Sequence, residues 1–213
     1  LLVLSCQTIE EPNQNNDNNN NDMYLVKSTE RKVQWKGKNQ FSPSILHDKE
    51  SGGCMIWYVD GHKNPDEIHF KKSADCSFAA EQLETFVFTQ AMFSKLTGIP
   101  TNNLGHLGGP SVVKFKGKYL MFFTTCLYNE CHDTKHKQIW SVESTNGKTW
   151  TNPKGPILDD TYFSQPSVIN YTYKDEKTEK EQEGLRLYFQ NRGKDNYRIW
   201  SVDLNEKLKP MKK

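Results

Sequence analysis

The sequence predicts an all-β protein built from repeated four-stranded units, which is the pattern of a β-propeller. Two observations lead to this prediction. Val, Ile, Tyr, Phe and Trp cluster in short runs, which favour strands over helices, and aromatic residues make up 12% of the 213-residue chain. The same order of runs also recurs along the chain, and this internal repeat is the stronger of the two signals.

Each repeated unit contains three recognisable runs. The first run is a Pro-Ser pair followed by two aliphatic residues, at 43–46, 110–113 and 166–169. The second run is rich in aromatic or aliphatic residues and lies at 55–59, 119–123 and 185–189. The third run lies at 67–70, 138–142 and 198–202, and the last two copies share the tetrapeptide Ile-Trp-Ser-Val. Polar, mostly Gly-containing stretches separate the runs and predict hairpin connections.

Two stretches between the runs carry further expectations. At 144–150, a Ser-Thr-Asn-Gly-Lys-Thr-Trp sequence closes the middle unit, and its Asn-Gly pair predicts a turn. We expect Trp150 to pack on the next unit, and Trp140 and Trp200 to lie in the core because they fall within third runs. The stretch 79–96 carries the signals both of a helix and of an outer strand, and periodicity does not distinguish them.

The N-terminal residues differ in composition from the rest of the chain. Residues 1–6 read Leu-Leu-Val-Leu-Ser-Cys, which resembles the lipobox at the end of a bacterial lipoprotein signal peptide. The resemblance implies that Cys6 carries the lipid and anchors the protein to a membrane of the bacterial cell envelope. Residues 7–22, rich in Asn and Asp, predict a disordered tether, and residues 23–213 the propeller domain.

The remaining four cysteines predict disulfides, because an even count is typical of exported proteins. Cys126 and Cys131 flank a short loop, and Cys54 and Cys76 flank a predicted hairpin. A zinc site using nearby histidines is the alternative, but the chain has no CxxC pair, so we expect no metal and no cofactor.

The charge pattern bears on possible partners. The formal net charge is only +2, and Lys and Arg are scattered among Asp and Glu. We therefore expect no nucleic-acid partner, and we expect a monomer.

The order of runs and turns within a unit resembles the five-bladed propeller glycoside hydrolases, the group of arabinanases, β-xylosidases and fructosidases. The resemblance covers about residues 24–204 and rests on the Pro-Ser strand, the Gly-Lys-Tyr strand, the Ile-Trp-Ser strand and the Ser-x-Asn-Gly-x-x-Trp turn. It implies a five-bladed ring and an oligo- or polysaccharide ligand. Only about three and a half units are visible, so the ring would be incomplete in this chain.

The resemblance also implies where catalytic acids should stand. In that group they lie at the start of the innermost strands, at or near the residue before the proline. Here those positions hold Ser42, Gly109 and Gln165. Glycoside hydrolysis needs two carboxylates, and none of these three residues can transfer a proton at the required pKa. The expectation is therefore a carbohydrate-binding protein without the usual catalytic acids.

Candidate ligand-binding residues follow from the expected course of the strands. Since the first strand of a blade leaves the ligand face and the second returns to it, residues before first runs and after second runs should share one rim. The ligand-binding candidates, including aromatic residues suited to stacking on sugars, are Ser42, Trp57, His106, Tyr128, Tyr162, Gln165, Asn191 and Arg192.

Two alternatives stay open. One is an active glycoside hydrolase whose acids have moved to the loops that follow the second runs, for which the candidates are Asp60, Glu130 and Asp133. The other is an envelope lipoprotein that binds a protein or serves a purely structural role.

Overall fold

The computed structural model describes residues 40–48, 50, 52–61, 66–74, 76, 85–127, 137–159, 163–174, 178–192 and 197–211. The predictions of a signal peptide, a lipidated Cys6 and a tether at 7–22 lie outside these residues. Within the described ranges, no helix has both the length and the apolar character needed to cross a membrane.

In the described part of the chain, three antiparallel sheets follow one another. The first contains β1 (Gln40–Asp48), β2 (Gly53–Asp60), β3 (Glu67–Ser73) and β4 (Thr85–Phe88). The second contains β5 (Leu104–Phe115), β6 (Lys118–Leu127), β7 (Lys137–Ser144) and β8 (Thr151–Asp159). The third contains β9 (Phe163–Lys174), β10 (Glu181–Arg192) and β11 (Tyr197–Leu204). In every sheet, strands adjacent in sequence are adjacent in space.

The predicted runs all fall within strands. First runs lie in β1, β5 and β9, second runs in β2, β6 and β10, and third runs in β3, β7 and β11. In the ambiguous stretch at 79–96, the outer-strand reading is confirmed by β4, and helix α1 (Gln90–Thr97) begins only after that strand. Thr89 caps this helix by accepting a hydrogen bond from the backbone of Met92, and Gly98 ends it at a φ of 77°.

Two apolar cores join the three sheets. Trp57, Phe93 and Phe123 are fully buried between the first and second sheets. Phe122 and Leu187 are fully buried between the second and third sheets. Burying one such side chain contributes about 1.5–3 kcal/mol, so contacts between sheets, rather than hairpins alone, stabilise the repeat.

The recurring Pro-Ser pair has a structural role that explains its repetition. Ser44 in β1 accepts a hydrogen bond from the backbone N–H of Val112 in β5, at 2.9 Å. Ser111 in β5 accepts one from the backbone N–H of Val168 in β9, also at 2.9 Å. The serine of one unit therefore ties its innermost strand to the innermost strand of the next unit.

A second tie between the first two sheets lies at the far end of β1. The carboxylate of Asp48 is buried and accepts a hydrogen bond from the Tyr119 hydroxyl. Lys114 Nζ lies 3.2 Å from Asp48 Oδ1 and 2.6 Å from Glu50 Oε2. Burial, together with the bonded Asp48 carboxylate, raises the pKa of Tyr119 to about 12. The tie therefore depends on a protonated Tyr119.

The turn at 144–150 packs on the preceding sheet, so the expectation that Trp150 would pack on the next unit was wrong. Trp150 contacts Trp57 edge-on, with ring centroids 6.4 Å apart. The turn is formed as predicted, because Ser144 Oγ accepts from the backbone N–H of Gly147, whose φ is 73°. The carbonyl of Gly147 in turn accepts a hydrogen bond from Trp57 Nε1 at 3.0 Å.

The two tryptophans of the Ile-Trp-Ser-Val copies differ in burial. Trp140 is buried as expected, because Gly155 of β8 lies directly against its ring. Trp200 is 51% exposed, so its assignment to the core was wrong. Its strand, β11, is the edge of the third sheet among the described residues, and no outer strand covers the ring there.

The predicted disulfide between Cys54 and Cys76 is confirmed, with the two Cα atoms 4.9 Å apart. Cys126 is also disulfide-bonded. Its partner lies outside the described residues, so the pairing of Cys126 with Cys131 stays a prediction.

Candidate functional site

The three positions that precede the repeated prolines share an unusual backbone conformation. Ser42, Gly109 and Gln165 have φ angles of 50°, 57° and 53°. Each lies at an irregularity in the pairing of the innermost strand with its neighbour. Positive φ is uncommon for residues that carry a side chain, and strain of this kind is concentrated at functional sites. The repeat therefore places one distorted residue at the same point of each sheet.

These three positions come together across the molecule. Ser42 Oγ donates a hydrogen bond to Gln165 Oε1 at 3.3 Å, although the residues are 123 positions apart. A side chain built on Gly109 would place its Cβ 3.1 Å from the same Gln165 oxygen. The backbone N–H of Gln165 donates to Thr124 Oγ1 at 3.2 Å. The hydroxyl of Ser42, the amide of Gln165 and the backbone of Gly109, which has no side chain, thus meet at a single site.

The chemistry of this meeting point is that of hydrogen bonding without proton transfer. The amide of Gln165 has two donors and an acceptor with two lone pairs, and the hydroxyl of Ser42 both donates and accepts. Gln165 is exposed and Ser42 partly exposed, so both groups are accessible. Neither they nor Gly109 supplies a carboxylate at these three positions.

Acidic residues do occur in the first sheet at the end of the strands that carries Ser42. Asp60 ends β2 and pairs with Gln40, two residues before Ser42. The next strand starts beside it, because Glu67 pairs with Asp60 across β2 and β3. Burial, with the nearby Asp60 carboxylate as a second cause, raises the pKa of Tyr58 to about 12. Of the three acidic residues that could replace the missing catalytic acids, Asp60 is the one that the structure describes.

His106 lies at the start of β5 and is held by Asp66. The backbone N–H of Asp66 donates to His106 Nδ1 at 3.1 Å. The backbone N–H of Leu107 also donates to the Asp66 carbonyl at 3.3 Å. These contacts fix the segment that leads into Gly109, and both side chains are partly exposed.

Trp57 cannot stack on a sugar, so its assignment to the ligand-binding set was wrong. Its side chain has no exposed surface. The indole ring is enclosed by Phe70, Tyr119 and Trp150, with centroids 5.4–6.5 Å away. Because its N–H is also bonded to Gly147, this tryptophan belongs to the core between the first two sheets.

The other predicted site residues are only partly described. Asn191 lies near the end of β10 and pairs with both Phe163 and Arg198, and the backbone of Arg192 follows it in the same strand. Four predicted residues lie outside the described ranges: Tyr128, Glu130, Asp133 and Tyr162. Among the residues that are described, no group of three or more His, Cys, Asp or Glu side chains could hold a metal ion.

Three residues at this edge were missed by sequence reasoning. Thr124 binds the backbone of Gln165, Asp66 positions His106, and Phe41 is 44% exposed directly before Ser42. The contacts of Thr124 and Asp66 join distant segments and leave no local signal. Phe41 could have been found, because an aromatic residue next to a predicted site position is visible in the sequence.

Comparisons with known proteins reveal similarity in structure. No protein-family model matches the chain, and no curated protein matches it. A thermostable family-43 glycoside hydrolase is similar in structure, with a TM-score of 0.55 and 16% identity over 80% of this chain. The chain spans 56% of the length of that protein.

Two further solved structures have lower scores. The family 117 glycoside hydrolase Zg3597 of the marine bacterium Zobellia galactanivorans has a TM-score of 0.49 and 12% identity, covering 81% of this chain and 68% of its own. The α-L-arabinanase of Cellvibrio cellulosa has a TM-score of 0.47 and 14% identity, covering 83% of this chain and 51% of its own.

The sheets and the family-43 similarity together define the class of fold. The described part of the chain is nearly all β and has the β-propeller fold found in glycoside hydrolases, as its sequence repeats predicted. At 16% identity the similarity concerns the fold, and activity has to be argued from the site itself.

Proposed function

We propose that this protein binds oligo- or polysaccharides at the rim where Ser42, Gly109 and Gln165 meet, and that it does not hydrolyse them. The observation that carries the proposal is the 3.3 Å contact between Ser42 and Gln165, with Gly109 against the same amide. Convergent polar groups on a rigid scaffold are typical of small-molecule sites. A hydroxyl and an amide suit sugar hydroxyls, because both partners donate and accept hydrogen bonds.

We expect no hydrolysis because of the residues that precede the three repeated prolines. A general acid contributes roughly 10²- to 10⁴-fold to such a reaction, and a second carboxylate must act as base or nucleophile. Serine, glycine and glutamine provide neither group. We therefore expect binding without turnover.

The experiment is a calorimetric titration with arabinohexaose, xylohexaose, β-1,3-galactohexaose and an inulin-type fructohexaose. The parent protein should bind at least one of them, and Gln165→Ala should lose that binding. Gln182→Ala is the matched control, because Gln182 is an exposed glutamine of β10 that pairs with Tyr173 at the opposite end of the sheet. Binding that survives Gln165→Ala unchanged would contradict the proposed site.

An active hydrolase with relocated acids is the second candidate, and one observation favours it. Asp60 lies at the same edge as Ser42, opposite Gln40. If it acts as a catalytic acid or base, the parent protein should release nitrophenol from an aryl glycoside, and Asp60→Asn should abolish that release. Glu130→Gln and Asp133→Asn test the other two candidates in the same assay.

We also propose that Cys6 is lipidated and that its lipid holds the protein at the bacterial cell envelope. We propose separately that the protein is a monomer. The support is the apolar run ending in Ser5 and Cys6, followed by a polar stretch. Cys6→Ser should move the protein from the membrane fraction to the soluble fraction of its host. If no sugar in the panel binds, a protein-binding or structural role for this lipoprotein takes precedence.

A further inference from the structure

Among the described residues, an exposed aromatic side chain lies next in sequence to the proposed site. Phe41 precedes Ser42 directly, and its side chain is 44% exposed. An isolated exposed phenylalanine is ordinary on protein surfaces, so its position is what matters. The other large exposed hydrophobic side chains in the described part of the chain are Met92, Ile169, Ile199 and Trp200. Of these five residues, Phe41 is the one next in sequence to the Ser42–Gln165 contact.

The backbone that carries Phe41 is paired in the first sheet. Phe41 pairs with Val59 of β2, whose side chain is fully buried, and the irregularity in β1 begins only after Phe41. Phe41 and Ser42 are consecutive, with Cα atoms about 3.8 Å apart, and the irregularity at Ser42, whose φ is 50°, interrupts the regular alternation that would direct their side chains to opposite faces of the sheet. A site built on a strand holds its groups more precisely than one built on a loop.

We propose that Phe41 is the stacking platform of the site and that the ligand is a pyranoside. In this arrangement the phenyl ring covers the apolar face of one sugar, while Ser42 and Gln165 bind its hydroxyls. The inference rests on the proposed carbohydrate-binding function and adds the class of sugar to it.

The preference for a pyranoside follows from ring shape. The chair of a xylo- or galactopyranose directs several axial C–H groups to one face and forms a flat apolar patch. The face of an aromatic ring is electron-rich and attracts such weakly positive hydrogens while burying apolar surface. The puckered five-membered ring of an arabinofuranose or fructofuranose offers no comparable flat patch. A phenyl platform therefore discriminates between the two classes.

The test is a calorimetric titration of four proteins with two pyranosides and two furanosides. The proteins are the parent, Phe41→Ala, Phe41→Leu and Phe41→Trp, and the ligands are xylohexaose, β-1,3-galactohexaose, arabinohexaose and inulin-type fructohexaose. We expect the parent to prefer a pyranoside and Phe41→Ala to bind it about tenfold more weakly. Phe41→Trp should retain the affinity, and Phe41→Leu should fall between, because leucine is apolar but not aromatic.

Two controls make the outcomes separable. Met92→Ala removes another exposed hydrophobic side chain, on helix α1, and should leave binding unchanged. Near-identical far-ultraviolet circular dichroism of the Phe41 variants establishes that they fold. If Gln165→Ala weakens binding but Phe41→Ala does not, the proposed function stands and the platform is refuted. A parent protein that prefers a furanoside also refutes it, and a parent that binds none of the four refutes both proposals.

Discussion

Replacing Gln165 by glycine should make the protein more stable while removing its proposed function. The φ of Gln165 is 53°, a left-handed conformation that costs a residue with a side chain roughly 1–2 kcal/mol. Glycine removes this strain but loses roughly 0.5–1 kcal/mol through the greater freedom of its unfolded chain. The expected net gain in the free energy of unfolding is therefore about 0.8 kcal/mol, the middle of a range of roughly 0–1.5 kcal/mol. Gln165→Ala retains the strain, so it should be less stable than Gln165→Gly by about the same 0.8 kcal/mol.

The assay is urea unfolding followed by tryptophan fluorescence, with both variants and the parent measured under the same conditions. The equivalent position in the second sheet supplies a matched control. Gly109 has a φ of 57°, and Gly109→Ala would bring a Cβ to 3.1 Å from Gln165 Oε1, so it should lose at least about 1 kcal/mol. If Gln165→Gly is no more stable than Gln165→Ala, the proposed backbone strain at the residues that precede the repeated prolines is refuted.

Three further perturbations test the framework around the site. Gly155→Ala should destabilise the fold by about 1–3 kcal/mol, because the new Cβ would lie 2.5 Å from the Trp140 ring; Gly108→Ala, with nothing within 4 Å, is the control in thermal unfolding. The pKa of Tyr119 is raised from 10.0 to about 12. The protonated Tyr119 hydroxyl therefore contributes to the free energy of unfolding below pH 10, and this contribution is lost as the pH rises towards 12. Unfolding free energies should fall over that interval, and a smaller fall in Tyr119→Phe would confirm the source. Replacing Cys54 and Cys76 together by serine should cost about 3 kcal/mol, since the bridge closes a loop across a separation of 22 residues; equal stability of the reduced parent and this variant is the check on that figure.

The sheets could be predicted from the sequence because each strand carries its own local signal. The Pro-Ser openings located β1, β5 and β9, and the serine has a physical reason to recur, since it bonds the next innermost strand. The convergence of Ser42 and Gln165 also followed from the repeat, because the equivalent positions of all blades face a common axis, and these two residues belong to the first and third sheets.

The errors arose where packing between sheets decides the outcome. Trp57 and Trp150 face each other across two sheets, and nothing local indicates on which neighbouring sheet a turn will pack. Trp140 and Trp200 share the same tetrapeptide, yet one is covered by Gly155 and the other lies on an edge strand. Burial of a side chain depends on the next element in space, which sequence periodicity does not report.

The central claim is that the three strand openings form a carbohydrate site that does not cleave its ligand. A crystal structure of the protein soaked with xylohexaose tests it most directly. We expect density for an intact oligosaccharide within hydrogen-bonding distance of Ser42 and Gln165, with one sugar ring against Phe41. Density for cleaved sugar at this rim, or for sugar bound only at another part of the surface, would contradict the account.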